Sequence, residues 1–208
     1  MSHYYKEMIK CSQEGCFVDV CGFDIFKFSK MLSSSNPSMI EWLQSDLVYY
    51  GEKPKSWINY AEKYHNPISL YHHYKSMCRQ NYLKYLKSGA LVTYKKYLYA
   101  MRGLVNSKYM TWNYGLPDID FDKTLKDIAR MQMSGHYKEI IPFNIIQKLW
   151  KVIELKKLGK EKDIIKNIPL IDSYIEDFLK DDSDAPLSQK HNLNKDLDIE
   201  LKRQLKCR

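Results

Sequence analysis

No apolar run in the sequence approaches the roughly 20 residues that a membrane-spanning helix needs. The opening stretch, MSHYYKEMIKCSQEG, lacks the apolar centre of a secretory signal. A soluble, cytoplasmic protein without a membrane partner is therefore expected. Cysteines do not pair up either. Five of them, at 11, 16, 21, 78 and 207, are an odd number in a chain without a secretory signal, which argues against a disulfide framework. Cys11, Cys16 and Cys21 are evenly spread, whereas zinc sites bring their ligands in closely spaced pairs. No internal repeat is visible, and no Cys/His or Ser/His arrangement stands out as a nucleophile.

What is present is a globular composition, 44% hydrophobic and 28% charged, in 208 residues. That length can bury a real core, in one good-sized domain or a domain with an appendage. Lys and Arg outnumber Asp and Glu by 33 to 25, a net charge of +8 that suits acidic partners such as nucleotides or RNA and also serves solubility. Seventeen tyrosines, many beside lysines, suit either stacking on bases or helix packing with a wet hydroxyl tip.

One strand is convincing: CFVDVC at 16–21, with Asp19 inside it. A lone strand cannot satisfy its own backbone groups. Residues 1–10 could supply a partner or be helical; the simplest expectation is a sheet whose other strands lie outside this sequence. Asp24 then caps a helix that SSSNP ends, and Pro37 opens the next, SMIEWLQS. From Pro54 onward the periodicity is helical. Tyr71, Tyr74, Cys78, Tyr82 and Tyr85 form the stripe of one long helix, and Tyr94, Leu98, Met101 and Val105 that of the next. Three further helices follow, at FDKTLKDIARMQM, NIIQKLWKVIELKKLGKEKD and IDSYIEDFLKDD. Trp42 and Trp57 read as core anchors, and Leu149, Trp150 and Ile153 as a buried stripe. Residues 181–208 are charged and poor in large apolar side chains, a loosely attached tail with a short helix possible at 194–206.

Two basic faces stand out. Lys95, Tyr99 and Arg102 share one side of a helix, with Lys96 beside it. His72, Lys75 and Arg79 share one side of the preceding helix. If these helices pair antiparallel, the two faces could line one cleft for nucleotide phosphates; the alternative is an ordinary solvated basic surface.

Four ordered blocks carry a resemblance: DVCGFDIFKFSKMLSSSNPSMIEWLQSDLVYY, HYKSMCRQNYLKYL, YKKYLYAMRGLVNSKYM, and ELKKLGKE with IPLIDSYIEDFL. Together they resemble, across about residues 16–180, predicted nucleotidyltransferases of the DNA polymerase β superfamily from bacteria and large phages. That resemblance implies transfer of a nucleotidyl group from an NTP to an acceptor hydroxyl. It also implies a Gly-Ser turn, an Asp-x-Asp pair and a third carboxylate that together hold two magnesium ions. Asp19 matches the third carboxylate by position, as catalytic and metal-binding residue. The resemblance also implies that the helical half contacts the nucleotide, with Lys95, Lys96, Tyr99, Arg102, His72, Lys75 and Arg79 as candidates.

The Gly-Ser turn and the acid pair are absent upstream of Asp19. PDIDFD (Asp118, Asp120, Asp122) and DDSDAP (Asp181, Asp182, Asp184) mimic the pair but follow no Gly-Ser turn, and helix capping is the expected job of the first. The expected organisation is thus mainly α: residues 1–22 as the remnant of a nucleotidyltransferase sheet, 23–180 as a helical domain, and 181–208 as the tail. The chain is expected to be inactive alone or part of a split enzyme completed by an N-terminal half. The alternative is a non-catalytic helical module that binds nucleotide or RNA.

Overall fold

A computed structural model of the chain describes residues 10–13, 16–19, 23–48, 51–89, 92–112, 115–135, 139–181, 185–186 and 202. Among these residues the fold is mainly α, as the periodicity predicts. Strand β2 (Cys16–Asp19) finds its partner within the chain, in β1 (Lys10–Gln13). The two pair antiparallel with Lys10 opposite Asp19. This corrects the expectation of a strand whose only neighbours lie elsewhere, because the hairpin satisfies one edge of each strand. The helix expected at 194–206 lies outside the described residues, apart from the helical Lys202.

The helices start where short polar side chains can take up free backbone N–H groups. Asp24 caps α1 (Ile25–Ser33), accepting from Lys27 N at 2.9 Å. Asn36 caps α2 (Pro37–Gln44), accepting from Ser38 N at 3.0 Å, and Pro37 occupies the first turn. After α3 (Lys55–Tyr64) a second Asn-Pro repeats the device: Asn66 caps α4 (Pro67–Asn81) through Ile68 N at 3.0 Å and Ser69 N at 3.2 Å. The two starts are hooked together, since Asn66 N donates to the buried Ser35 Oγ at 2.8 Å. Ser35 takes a left-handed φ of 55°, a conformation that needs such surroundings to hold it.

Helix α4 runs on into a π-helical segment, Tyr82–Lys87. The wider π turn moves the buried stripe from 78 and 82 to Leu86, which is fully buried, so Tyr85, expected in the stripe, is only half-buried. Helix α5 (Tyr94–Trp112) is buried on nearly every side, at Tyr97, Ala100, Met101, Leu104, Val105, Ser107 and Met110 among others, so its expected single stripe is too narrow.

Helices α4 and α5 pack antiparallel, with Ser107 Oγ donating to Tyr71 O at 3.1 Å at one end and Gly103 against Cys78 further along. A Cβ on Gly103 would meet Cys78 N at 2.6 Å and Tyr74 O at 2.7 Å, so only glycine fits this crossing. One core, at α1 to α3 and the start of α4, contains Leu32, Met39, Ile40, Trp57 and Leu70. The other gathers α5, α6 (Phe121–Met133), α7 (Phe143–Lys157) and α8 (Pro169–Lys180).

Buried tyrosines tie α8 down by their hydroxyls. Tyr97 donates to Asp172 Oδ1 at 2.8 Å and accepts from Ile168 N at 2.8 Å, while Tyr82 donates to Glu176 Oε1 at 2.9 Å. Beyond α8, Ala185 packs against the first core and Pro186 is buried, so the start of the expected loose tail is held. Trp57 and Leu149 are core residues as expected, and Trp150 is half-buried. Trp42 is not a core anchor: Met39, Ile40 and Leu43 fill the buried side of α2, which leaves Trp42 46% exposed.

The α6 start is fixed by its acids. Asp120 accepts from Asp122 N at 3.0 Å, and Asp122 binds Lys126 at 3.0 Å and reaches Lys157 of α7 at 3.3 Å. Burial alone would raise the Asp122 carboxyl, but the two lysines outweigh it and hold the group below the ordinary carboxylate value.

Two stability predictions follow from this packing. Gly103→Ala should cost about 1–3 kcal/mol despite the better helix propensity of alanine, at about 2–4 °C of melting temperature per kcal/mol. Asp122→Asn should cost on the order of 0.5–1 kcal/mol at pH 7. A lowered folded pKa contributes stability above the unfolded value and loses it as pH falls. The gap between wild type and Asp122→Asn should therefore close as melts are taken below about pH 4, and a gap that persists there would contradict the assignment.

Candidate functional site

The linked Asn-Pro caps set the angle of α2 on α4, and the Gly103 crossing brings α5 against both. Three helices thus deliver polar side chains to one place. Glu41 of α2 reaches Arg102 of α5, with Oε1 3.0 Å from Nη2, an ion pair without hydrogen-bond alignment. The buried Tyr74, from α4, places its phenol beside the Glu41 carboxylate, the Arg102 guanidinium and the Asn106 side chain. Burial, then the nearby Glu41 charge, pushes this phenol well above its usual value, so it stays a neutral donor. Asn106 is 1% exposed, one helical turn from Arg102, and its Oδ1 has no hydrogen-bond partner among the described residues.

Arg102 also borders a cavity of about 320 Å³ between α5, the start of α6 and the end of α7. Leu98, Ile119, Phe121 and Ile153 give it apolar walls; Tyr99, Arg102, Asp120, Asp122, Lys156 and Lys157 give it polar ones. Asp120 is spent on capping and Asp122 on Lys126 and Lys157. Apolar walls with a few converging polar groups are the usual make-up of a small-molecule site.

The residues singled out in the sequence are divided between several places. Tyr99 and Arg102 line this cavity. Lys95 is not part of its lining and lies 4.0 Å from Glu161 and 5.8 Å over the Tyr99 ring. Lys96 turns to the π-helical segment, 4.8 Å over Tyr85. The α4 face looks elsewhere. Lys75 is buried, donates to the Asp181 carbonyl and lies 4.8 Å over Phe178, so its ammonium serves the packing of α8. Arg79 borders a second, shallower cavity of about 250 Å³ with Tyr82, Leu83, Lys87, Glu176, Leu179 and Lys180. His72 is exposed, its ring edge-on to Tyr71 at 5.2 Å. The helices are antiparallel, yet the two basic faces do not meet in one cleft.

Glu41, Lys156 and Lys157 were missed as site residues. Glu41 stands in NPSMIEWL and the lysines in ELKKLGKE, blocks that carry the resemblance, so the signal was there without the geometry. Asp19 closes β2 opposite Lys10. Among the described residues, no group of three or more His, Cys, Asp or Glu side chains could hold a metal ion. The described residues do not by themselves fit a magnesium pair, which needs several oxygen ligands per ion.

The buried Cys78 thiol sits beneath this cluster, where burial pushes it up to about 12. Iodoacetamide at pH 8 should leave Cys78 unmodified in the folded protein and label it only after denaturation, as read by peptide mapping.

With the geometry described, the chain can be set beside known proteins. It is 27% identical over 194 residues to the "Uncharacterized protein YcgL" of Bacillus subtilis (strain 168), an alignment covering 90% of this chain and 68% of that protein. No solved structure matches it. Residues 6–201 match the family RlaP, described as the RNA repair pathway DNA polymerase beta family. The match takes in Asp19, both Asn-Pro caps and every helix of the cluster, and the chain belongs to this polymerase β-like, nucleotidyltransferase-related family.

Proposed function

We propose that this chain is the helical, nucleotide-holding part of a nucleotidyltransferase, and that the Arg102 cavity receives the triphosphate of an NTP. In the complete enzyme an acceptor hydroxyl oxygen attacks the α-phosphorus and loses its proton. A new P–O bond forms, the bond to the bridging oxygen breaks, and pyrophosphate leaves. The Gly-Ser turn and Asp-x-Asp pair come from another segment or polypeptide, with Asp19 as third carboxylate. Magnesium belongs to this reading only as the ion of the completed site.

The observation that carries the reading is Arg102, held by Glu41 at the rim of an apolar-walled cavity that also presents Lys156 and Lys157. An arginine fork suits phosphate oxygens in pairs, and lysines add point charge. A second reading, a non-catalytic module that binds RNA or nucleotide on the Lys95, Tyr99 and Arg102 face, is favoured by Tyr99, which is 48% exposed beside Lys95.

Calorimetric titration with ATP and GTP tests the site. Arg102→Ala should weaken NTP binding by about ten- to a hundredfold, the range for a hydrogen bond to a charged group, and Lys156→Ala, at an exposed position, by a few-fold. Equal binding by wild type and both variants would remove the cavity from the reading. The isolated chain should show no NTP transfer and should gain it when a polypeptide carrying the Gly-Ser turn and acid pair is added. Robust transfer by the chain alone would end the split-enzyme reading, while RNA binding lost in Lys95→Ala without gained transfer would favour the module.

A further inference from the structure

Helix α2 carries more than Glu41. The next residue, Trp42, lies outside the core, 46% exposed, and stacks on Phe23 with ring centroids 5.5 Å apart and planes inclined by 22°. Lys27 Nζ sits 4.5 Å over the Phe23 ring. Phe26, one residue earlier, is 61% exposed, and Lys30, one helical turn beyond Phe26, is exposed as well. Large aromatic side chains normally take their area into the core. Here Phe26 and Trp42 are left in water and Phe23, partly buried against the first core, stacks on Trp42, while Phe28 of α1, the helix of Phe26, Lys27 and Lys30, packs edge-on against the buried Trp57 at 5.3 Å. Helix α1 therefore has a separate inward face, and core packing does not account for the exposed Phe26 or for Trp42 of α2.

Stacked aromatics interleaved with lysines make a surface on which unpaired bases stack while ammonium groups meet the phosphates between them. Every base has a π face, so such a surface tolerates any sequence, and lysine matches the negative backbone. Its position adds a second argument. Glu41 and Trp42 are consecutive on α2; the first holds Arg102 at the cavity, and the second belongs to the aromatic surface. The end of α2 is tied to the loop that leads into the cavity wall, with Gln44 Nε2 donating to Pro117 O at 3.3 Å.

We infer that Phe23, Phe26 and Trp42, with Lys27 and Lys30, form a stacking site for a single-stranded polynucleotide, the acceptor strand of the transfer. The inference rests on the nucleotidyl-transfer reading for the word acceptor, but binding at the surface is measurable without any transfer.

Fluorescence anisotropy with a labelled single-stranded adenine-rich RNA of about 12 nucleotides, at low salt, measures it; site sizes of roughly 4–16 nucleotides are usual for such surfaces. DNA of the same length and an abasic ribose-phosphate polymer complete the set. Trp42→Ala should weaken RNA binding by at least about tenfold, and Trp42→Phe should restore most of it. Lys27→Ala should lower the slope of log affinity against log salt by about 0.7. The abasic polymer should bind wild type and Trp42→Ala alike. Comparison of RNA with DNA tells whether the 2′-hydroxyl contributes. Phe26→Ser, at an exposed position, repeats the test on a second ring. RNA affinity unchanged in both ring variants, or no oligonucleotide binding by wild type, would overturn the site. ATP titration of the same Trp42→Ala protein should match wild type, so a failed cavity and a failed stacking surface give different results.

Discussion

The missing side chain of Gly103 is the constraint on which the rest of the structure depends. Without a Cβ, α5 lies directly on the backbone of α4 at Tyr74 and Cys78. That approach puts α5 at the centre, so that Leu104 and Val105 are fully buried and α6, α7 and α8 pack around the remaining sides. Close backbone contact between two helices leaves little room for water. The polar groups brought there lose water and meet one another, and Asn106 Oδ1 is left without a hydrogen-bond partner among the described residues. Gly103 sits between Arg102 and the turn bearing Asn106, and its neighbour across the contact is Tyr74. The close helix crossing and the cluster of Glu41, Tyr74, Arg102 and Asn106 are the same place.

The tyrosines show how that cost is met elsewhere. A buried tyrosine brings a large apolar ring and one hydroxyl that needs a partner. Tyr82 and Tyr97 place theirs on acids of α8, and Tyr97 also takes the backbone N–H of Ile168 at the start of that helix. Lys75 works alike: its stem is buried and its ammonium binds the Asp181 carbonyl past the end of α8. Part of the tyrosine and lysine excess, which suits a surface for nucleic acid on composition alone, is the material that fastens α8 to the central pair.

Local chemistry made much of this legible. Asp24 caps the helix it precedes and Pro37 opens the next, because a short acceptor before a helical run has one favourable use and proline suits a first turn, whereas the caps at Asn36 and Asn66 emerged only with the structure. The 3.6-residue period located α4 to α8 and most of the core. The period failed where the backbone left it. The π-helical turn passes the buried position from Tyr85 to Leu86, and nothing in YLKYLK announces that shift. Trp42 was misplaced because size suggested burial, while the packing of Met39, Ile40 and Leu43 had already used the inner face. Helical spacing grouped Lys95, Tyr99 and Arg102 correctly as neighbours on α5. Which neighbour helix each one meets is a tertiary fact: Glu41 is 61 residues from Arg102 in sequence, and no periodicity joins them.

The Glu41–Arg102 pair has a consequence for the ligand proposed at the cavity. Both side chains are about one-quarter exposed, 25% and 29%, so the pair is neither a solvated surface contact nor a sealed one. A carboxylate beside an arginine lowers the net charge that a phosphate meets, which weakens attraction. It also fixes the guanidinium, whose flexible stem otherwise loses on the order of 2 kcal/mol of rotamer freedom when it is ordered. Glu41 also lies beside the Tyr74 phenol, which burial and the Glu41 charge keep protonated through the neutral range. The carboxylate thus meets Arg102 beside a group that adds no second negative charge near neutrality, and Arg102 is at the rim of the cavity before any ligand arrives. An ordered fork at reduced net charge favours the ligand whose oxygens match its geometry over one that supplies charge alone.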